Sequence, residues 1–97
     1  MKVGVIGYGI QGSAVVSILE KTSDITEIIV IDSSSDKIRR CEKVSDPGKV
    51  RAFCVDVADI LRMNHYLEGC GVIFDMLTPE LSESILKIAV QNDANYN

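Results

Sequence analysis

The chain has little aromatic character, with no tryptophan, two phenylalanines and three tyrosines among its 97 residues. Hydrophobic residues still make up 46% of it, so the core must be aliphatic, as in a sheet covered by helices. Basic residues are also few, and 10 lysines and arginines against 14 acidic residues leave a net charge of −4. Non-specific nucleic-acid binding requires a basic face, and a membrane span requires roughly 18 apolar residues in a row. We therefore expect neither nucleic acid nor membrane among the partners.

Cysteine and histidine are scarce as well. Cys41, Cys54 and Cys70 are widely spaced and include no C-x-x-C, which predicts neither a disulfide framework nor a metal site. Cys54 stands in an apolar run and is predicted to be a buried core residue. The single histidine, His65, is predicted to be a surface residue of a helix. No Ser/His/Asp or Cys/His arrangement is placed to act, so the catalytic residues are unknown at this stage.

What the chain does contain is a glycine motif close to its start. The apolar run 3–6 leads into glycines 7, 9 and 12, spaced as G-x-G-x-x-G, and a helical pattern follows. In dinucleotide-binding βαβ units the first glycine makes a tight turn, the second lets the backbone approach a pyrophosphate, and the third lets the helix pack closely. A glycine-rich turn between strand and helix also occurs without a ligand. The predicted cofactor contacts here are Gly7, Tyr8, Gly9, Ile10, Gln11 and Gly12.

An acidic residue stands where a dinucleotide site needs one. A second apolar run ends in Asp32, 20 residues after Gly12, where a carboxylate can accept hydrogen bonds from the adenosine ribose. The same carboxylate would repel the 2′-phosphate of NADP, and Ser33 follows it where NADP enzymes usually have an arginine. We therefore predict NAD as the cofactor, with Asp32 and Ser33 among its contacts. The alternative for Asp32 is that it caps a helix or turn and contacts no ligand. NADP is disfavoured but stays open, because basic residues follow at Lys37, Arg39 and Arg40.

The rest of the chain alternates strands with helices. Strands are predicted at about 2–6, 27–32, 50–55 and 72–77, and residues 94–97 resemble the start of a fifth. Helices are predicted at about 10–21, as a short helix through Lys37, Ile38 and Cys41 whose cap lies among residues 33–36, at about 58–67, and from 79 onwards. In the helix at 10–21 the sheet-facing residues are predicted to be Ala14, Val15, Ile18 and Leu19. The apolar residues of the helix at 58–67 are Ile60, Leu61 and Leu67.

This alternation requires right-handed crossovers and a parallel sheet. The predicted fold is a Rossmann-type α/β domain over residues 1–97, with strand order 3-2-1-4, the start of strand five at the edge, and helices on both faces. A ligand is expected across the carboxyl ends of the strands, between the first and fourth. Because Met1 and Lys2 lead directly into a strand and leave no room for a signal peptide, a cytoplasmic location is predicted.

Two further strand ends supply candidate contacts. Asp56 is predicted either to accept a hydrogen bond from the adenine amine or to cap the following helix. Residues 77–79 leave the fourth strand at the crevice and would border the nicotinamide-side ribose. Asp75 either faces the cleft or pairs with a backbone donor. The contacts predicted from these strand ends are Asp56, Val57, Leu77, Thr78 and Pro79.

Several stretches together resemble the cofactor domain of saccharopine dehydrogenase-like proteins: residues 5–12, the strand ending in Asp32, and residues 54–57, 69–79, 86–89 and 94–97. The resemblance implies an NAD- or NADP-dependent oxidoreductase that makes or breaks carbon–nitrogen bonds in lysine, saccharopine or polyamine metabolism, or oxidises lysine. It also implies a substrate domain C-terminal to this chain. The cofactor contacts it implies are Gly7, Gly9, Gly12, Asp32 and Asp56, with Thr78 and Pro79. The chain departs from the family at Asn97, where an aspartate is typical, and around residues 77–79, where one more proline or asparagine is usual.

Two functions are therefore consistent with the sequence. The first is the cofactor-binding domain of such an oxidoreductase, which would bind NAD and turn over nothing alone. The second is a non-catalytic NAD-sensing module, although such modules commonly carry an arginine where this chain has Gln11. A methyltransferase that binds S-adenosylmethionine fits less well, because its turn usually reads G-x-G-x-G. The poorly covered sheet edge beyond the fourth strand favours a homodimer.

Overall fold

A computed structural model describes residues 1–77 in full and residues 95–96 as backbone. Its strands are β1 (Lys2–Ile6), β2 (Glu27–Asp32), β3 (Val50–Cys54), β4 (Val72–Asp75) and β5 (Asn95–Tyr96). Its helices are α1 (Ile10–Glu20), α2 (Ser35–Val44) and α3 (Ile60–Leu67). The helix predicted from residue 79 onwards lies outside the described residues, as do Thr78 and Pro79.

The strands form one parallel sheet in the order β3-β2-β1-β4-β5. The register pairs Val3 of β1 with Ile28 of β2 and with Val72 of β4. The predicted order is confirmed, and so is the fifth strand, whose residues 95 and 96 pair with the start of β4. All carboxyl ends of these strands consequently meet at one edge of the sheet.

Helices cover both faces of the sheet, as predicted. On one face Val3 and Val5 pack with α1 and α2, and on the other Ile6 and Ile73 pack with α3. The central strand β2 is buried on both sides, because residues 28–31 supply two side chains to each face. Each fully buried aliphatic side chain contributes about 1.5–3 kcal/mol, so these two layers supply most of the stabilisation.

The predicted sheet-facing side of α1 is wrong in part. Leu19 is buried as expected, but Ala14 and Ile18 are exposed, the latter 66% so, and Val16 is buried instead. The reason is that Gly12 must lie against the start of the sheet. Residues 16 and 19 share a helix face with residue 12, whereas residues 14 and 18 lie on the far side.

The first turn of α3 also differs from the prediction. The helix begins at Ile60, because the Asp59 carboxylate caps it by accepting a hydrogen bond from the N–H of Arg62 at 3.2 Å. Its buried residues are Met63 and Leu67, while Leu61 points to solvent. His65 is exposed on the same helix, as predicted for a surface residue.

Cys54 is exposed, so the prediction that it lies in the core is wrong. It is the last residue of β3, which forms an edge of the sheet and carries exposed positions at both Arg51 and Cys54. The two other thiols, of Cys41 and Cys70, are buried.

The buried Cys70 thiol predicts a pH dependence of stability. Cys70 is 1% exposed, and burial raises its pKa from 9.0 to about 11. Between these values the unfolded chain loses the thiol proton and the folded chain keeps it, so rising pH favours unfolding. We expect Cys70 to lower the free energy of unfolding by up to about 1.4 kcal/mol per pH unit over this interval.

Urea denaturation between pH 8 and 11 measures this slope. In Cys70→Ala the free energy of unfolding should fall less steeply with rising pH than in wild type. Cys54→Ala removes the exposed thiol and should keep the wild-type slope. Identical slopes for wild type and Cys70→Ala would contradict the prediction.

Candidate functional site

The site begins at the glycine turn, residues 7–12, which joins β1 to α1. Gly7 has a φ of +96°, a conformation that residues with a Cβ rarely adopt, and its N–H donates to the Ile31 carbonyl at 2.7 Å. A Cβ on Gly12 would lie 2.0 Å from the Gly7 carbonyl oxygen. The fold therefore requires glycine at position 7 because of its backbone conformation, and at position 12 because α1 starts in direct contact with the turn.

Gly9 is different, because the fold makes no use of its missing side chain. A Cβ built there has no atom of the described residues within 4 Å, and its φ of −89° suits any residue. The space above it is open. In dinucleotide-binding turns this second glycine is where the pyrophosphate approaches the backbone.

The start of α1 has the features of an anion site. Gly9 is the N-cap, no side chain of the described residues caps the helix, and its first turn contains no acidic residue. The first backbone N–H groups of a helix have no partner within it, and the helix dipole places partial positive charge there. A cleft of about 240 Å³ lies against Met76 and residues 9–12. Such a helix start can bind a phosphate.

Tyr8 anchors the turn from both its backbone and its side chain. Its N–H donates to Asp32 Oδ2 at 2.8 Å, and its ring is buried in the core cluster that contains Cys41. Burial raises the pKa of the Tyr8 hydroxyl, and the nearby Cys41 raises it further. The Tyr8 side chain thus points into the protein, and its backbone holds the turn to the end of β2.

Asp32 is placed at the end of β2, as predicted, but it does more than the sequence indicates. It is 7% exposed, its Oδ2 accepts from Tyr8 and its Oδ1 accepts from the N–H of Ser34 at 2.8 Å. Ser34 then caps α2 by accepting from the N–H of Lys37. The carboxylate therefore ties the glycine turn to the start of α2. Each of its oxygens has a second lone pair that can accept a hydrogen bond from a ribose hydroxyl.

Sequence reasoning offered a helix or turn cap at Asp32 only as an alternative to the ribose contact, and it missed the bridge to the glycine turn. The hydrogen bond from Ser34 could be predicted from sequence, since an aspartate often accepts a hydrogen bond from the N–H two residues later. The bond from Tyr8 depends on the parallel pairing of β1 and β2, which places the two strand ends side by side. A local pattern cannot reveal such a contact.

The other candidates lie along the same edge of the sheet. Asp56 is exposed and accepts from the N–H of Ala58 at 3.0 Å, so the alternative that it caps α3 is wrong. Asp59 holds that position because it directly precedes the first helical residue. Ser33 is exposed beside Cys54, whereas Val57 is buried and packs its side chain in the core.

At the end of β4, Asp75 accepts from the N–H of Leu77 at 2.9 Å. This bears out the alternative in which Asp75 pairs with a backbone donor. Leu77 packs against the core cluster beneath α3. Among residues 1–77 and 95–96, no three histidine, cysteine, aspartate or glutamate residues group as metal ligands, and no helix has the length and apolar character to cross a membrane.

The site as a whole can be compared with known proteins. The family model described as the saccharopine dehydrogenase NADP binding domain matches residues 3–97. No curated protein matches the chain.

Three solved structures share its fold. The apo saccharopine dehydrogenase (L-Glu forming) from Saccharomyces cerevisiae is 19% identical with a TM-score of 0.80, and the match covers 98% of this chain and 20% of that one. A double mutant of a dTDP-glucose 4,6-dehydratase from Streptomyces venezuelae with NAD bound is 19% identical with a TM-score of 0.76, and the match covers 97% of this chain and 37% of that one. Vestitone reductase from alfalfa is 20% identical with a TM-score of 0.75, and the match covers 98% of this chain and 35% of that one. The chain thus spans between 20% and 37% of the length of these proteins.

Proposed function

Because the chain belongs to the family of saccharopine dehydrogenase NADP-binding domains, we propose that it binds NAD or NADP at the glycine turn on behalf of an oxidoreductase. The observation that carries the proposal is the open space above Gly9, next to an uncapped helix start. The fold leaves both unused, and a pyrophosphate would use both.

The strand ends supply the rest of the proposed binding mode. The pyrophosphate lies over Gly9, and the adenosine ribose is bound by the free lone pairs of Asp32. The adenine lies beside Asp56, whose exposed carboxylate can accept from its exocyclic amine. The nicotinamide half extends toward Leu77, across the crevice between β1 and β4.

NAD is the cofactor that Asp32 favours. A carboxylate accepting ribose hydroxyls makes charge-assisted hydrogen bonds, each contributing about 1.5–3 kcal/mol, and NADP replaces one of those hydroxyls with a phosphate. Ser33, which follows, is neutral and exposed. We propose that NAD binds through Asp32 in this way.

The reaction is proposed by family membership. We propose that the complete oxidoreductase is of the saccharopine or lysine dehydrogenase type and that a domain C-terminal to this chain holds the substrate. In this proposal the chain supplies the bound nicotinamide, which carries the hydride chemistry.

Calorimetric titration of the chain with NAD, NADP and S-adenosylmethionine tests the proposed function. We expect saturable binding of one NAD or NADP per chain and no heat of binding with S-adenosylmethionine. Absence of binding with both dinucleotides, or binding of S-adenosylmethionine alone, would contradict the proposal.

A further inference from the structure

The free edge of β3 is a docking surface that the proposed function does not use. β3 is the last strand at its end of the sheet, and no strand of the described residues pairs with its outer side. A cleft flanks it on each face, of about 400 Å³ next to the end of α2 and about 190 Å³ next to α3. We call this outer side of residues 50–54 the β3 edge. The opposite edge, beyond β4, pairs with β5 at Val72 and Ile73, although the sequence favours a homodimer there.

The backbone groups of β3 alternate between its two sides. Just before the strand, the Lys49 carbonyl accepts from the N–H of Ile28 in β2 at 2.9 Å. Residues 51 and 53 face β2 in the same way, so residues 50, 52 and 54 face outward. Ala52 therefore presents both its N–H and its C=O at the β3 edge, between the carbonyl of Val50 and the N–H of Cys54. An edge strand with such groups is a template for pairing with another chain.

The β3 edge lacks the features that usually prevent such pairing. Edge strands are commonly protected by proline, a bulge or charged side chains, but β3 contains no proline and pairs with β2 in regular register. Its single charged residue, Arg51, is directed onto its own copy, where it pairs with Glu27 at 3.5 Å and lies 5.8 Å from the centre of the Phe53 ring. Phe53 in turn stacks on Tyr66 of α3 at 4.2 Å. The side chains at residues 50, 52 and 54 are small and uncharged, so another strand can approach.

We propose that two copies of the chain pair their β3 edges in antiparallel fashion about a two-fold axis at Ala52, which joins their sheets into one. In this arrangement the two Ala52 residues exchange both of their backbone hydrogen bonds, and the Cys54 N–H of each copy donates to the Val50 carbonyl of the other. Arg51 of each copy lies opposite Phe53 of the other, within reach of its ring for a cation–π contact. The outward groups of one strand thus satisfy each other, as a two-fold interface requires.

A second copy is the occupant that these residues favour. Backbone pairing alone would accept any extended segment, but the mutual contact of Arg51 with Phe53 uses side chains that this strand itself supplies. The pairing involves neither the glycine turn nor Asp32 and needs no bound cofactor. The inference is therefore independent of the proposed function.

Sedimentation velocity over a range of protein concentrations tests the inference, with a reductant present so that the exposed Cys54 cannot form disulfides. We expect wild type to pass from monomer to dimer as the concentration rises. Ala52→Lys and Ala52→Glu each place like charges opposite one another at the axis, and each should weaken self-association about tenfold or more. An equimolar mixture of these two variants should form a heterodimer, because opposite charges then meet.

Ala14→Lys is the matched control, because it makes the same change at an exposed position of α1 and should dimerise as wild type does. Hydrogen exchange of wild type gives a second readout that needs no variant. The N–H groups of Ala52 and Cys54 should exchange more slowly as the concentration rises, whereas those of Arg51 and Phe53, which face β2, should change little.

Several results would overturn the inference. A wild-type chain that stays monomeric would do so, and an unrelated partner would then be the remaining occupant of the β3 edge. A dimer without added protection at Ala52 and Cys54, or one that both Ala52 variants form as tightly as wild type, would place the interface elsewhere. Ala52 variants that are folded by circular dichroism and form no heterodimer when mixed would contradict the two-fold axis at Ala52.

Discussion

Gly12→Ala is expected to lower the free energy of unfolding by about 3 kcal/mol or more, although it adds a single methyl group. That methyl would stand 2.0 Å from the Gly7 carbonyl oxygen, which is backbone and cannot turn aside as a side chain can. Relief requires α1 to shift away from β1, and Val16 and Leu19 would then lose their packing against the sheet. Overpacking of a close contact costs about 1–3 kcal/mol or more, and a domain of this size has roughly 5–15 kcal/mol of stability.

Circular dichroism with urea or thermal unfolding measures this effect. The matched control is Gly9→Ala, which adds the same methyl group where no described atom lies within 4 Å. We expect the control to melt within a few degrees of wild type, since at the N-cap an alanine costs about 1 kcal/mol or less relative to glycine. Equal melting temperatures for Gly12→Ala and Gly9→Ala would contradict the close contact between α1 and the turn.

Asp32→Ala is expected to destabilise the fold by several kcal/mol even in the absence of cofactor. It removes the acceptor of two backbone N–H groups, those of Tyr8 and Ser34, and leaves the buried Tyr8 N–H without a partner. Hydrogen bonds to charged groups contribute about 1.5–3 kcal/mol each, and a buried unsatisfied donor costs a similar amount.

Asp32→Asn provides a graded control for this prediction. An asparagine keeps one acceptor oxygen and places an amide, which is a donor, opposite the second N–H. The free energy of unfolding should therefore fall in the order wild type, Asp32→Asn, Asp32→Ala. Equal stability of wild type and Asp32→Ala in urea denaturation would contradict the bridging role of this carboxylate.

The Asp32 result also affects how binding data are interpreted. A loss of NAD binding in Asp32→Ala combines a lost ribose contact with a loosened glycine turn, because Tyr8 belongs to that turn. Binding by Asp32 variants should be measured where each is still folded.

Much of the fold could be predicted from sequence because its signals are local. The apolar runs of β1 and β2 end at Gly7 and Asp32, the alternation of strands with helices predicts a parallel sheet, and the glycine motif indicates the fold that has this strand order. The buried face of α1 could not be predicted in the same way. Apolar residues lie on several sides of that helix, and the contact at Gly12 decides which of them turns inward.

The same limit applies to the candidate site. Asp56 and Asp59 are both suitable caps in sequence, and the true cap depends on where the chain leaves β3. The exposure of Cys54 follows from the edge position of β3, which is a property of the whole sheet. Lys37 and Arg39 both follow Asp32 in sequence, but which face of α2 each occupies is known only once the start of that helix is known.

We propose that the glycine turn binds a pyrophosphate, and a substitution at Gly9 tests this claim because the fold does not depend on its missing side chain. The measurement is calorimetric titration of wild type and Gly9→Ala with NAD and NADP, beside their thermal unfolding. We predict that Gly9→Ala keeps the fold and loses about tenfold or more in affinity for both cofactors, because the added methyl occupies the place of the pyrophosphate. A folded Gly9→Ala chain that binds NAD and NADP as tightly as wild type would contradict the claim.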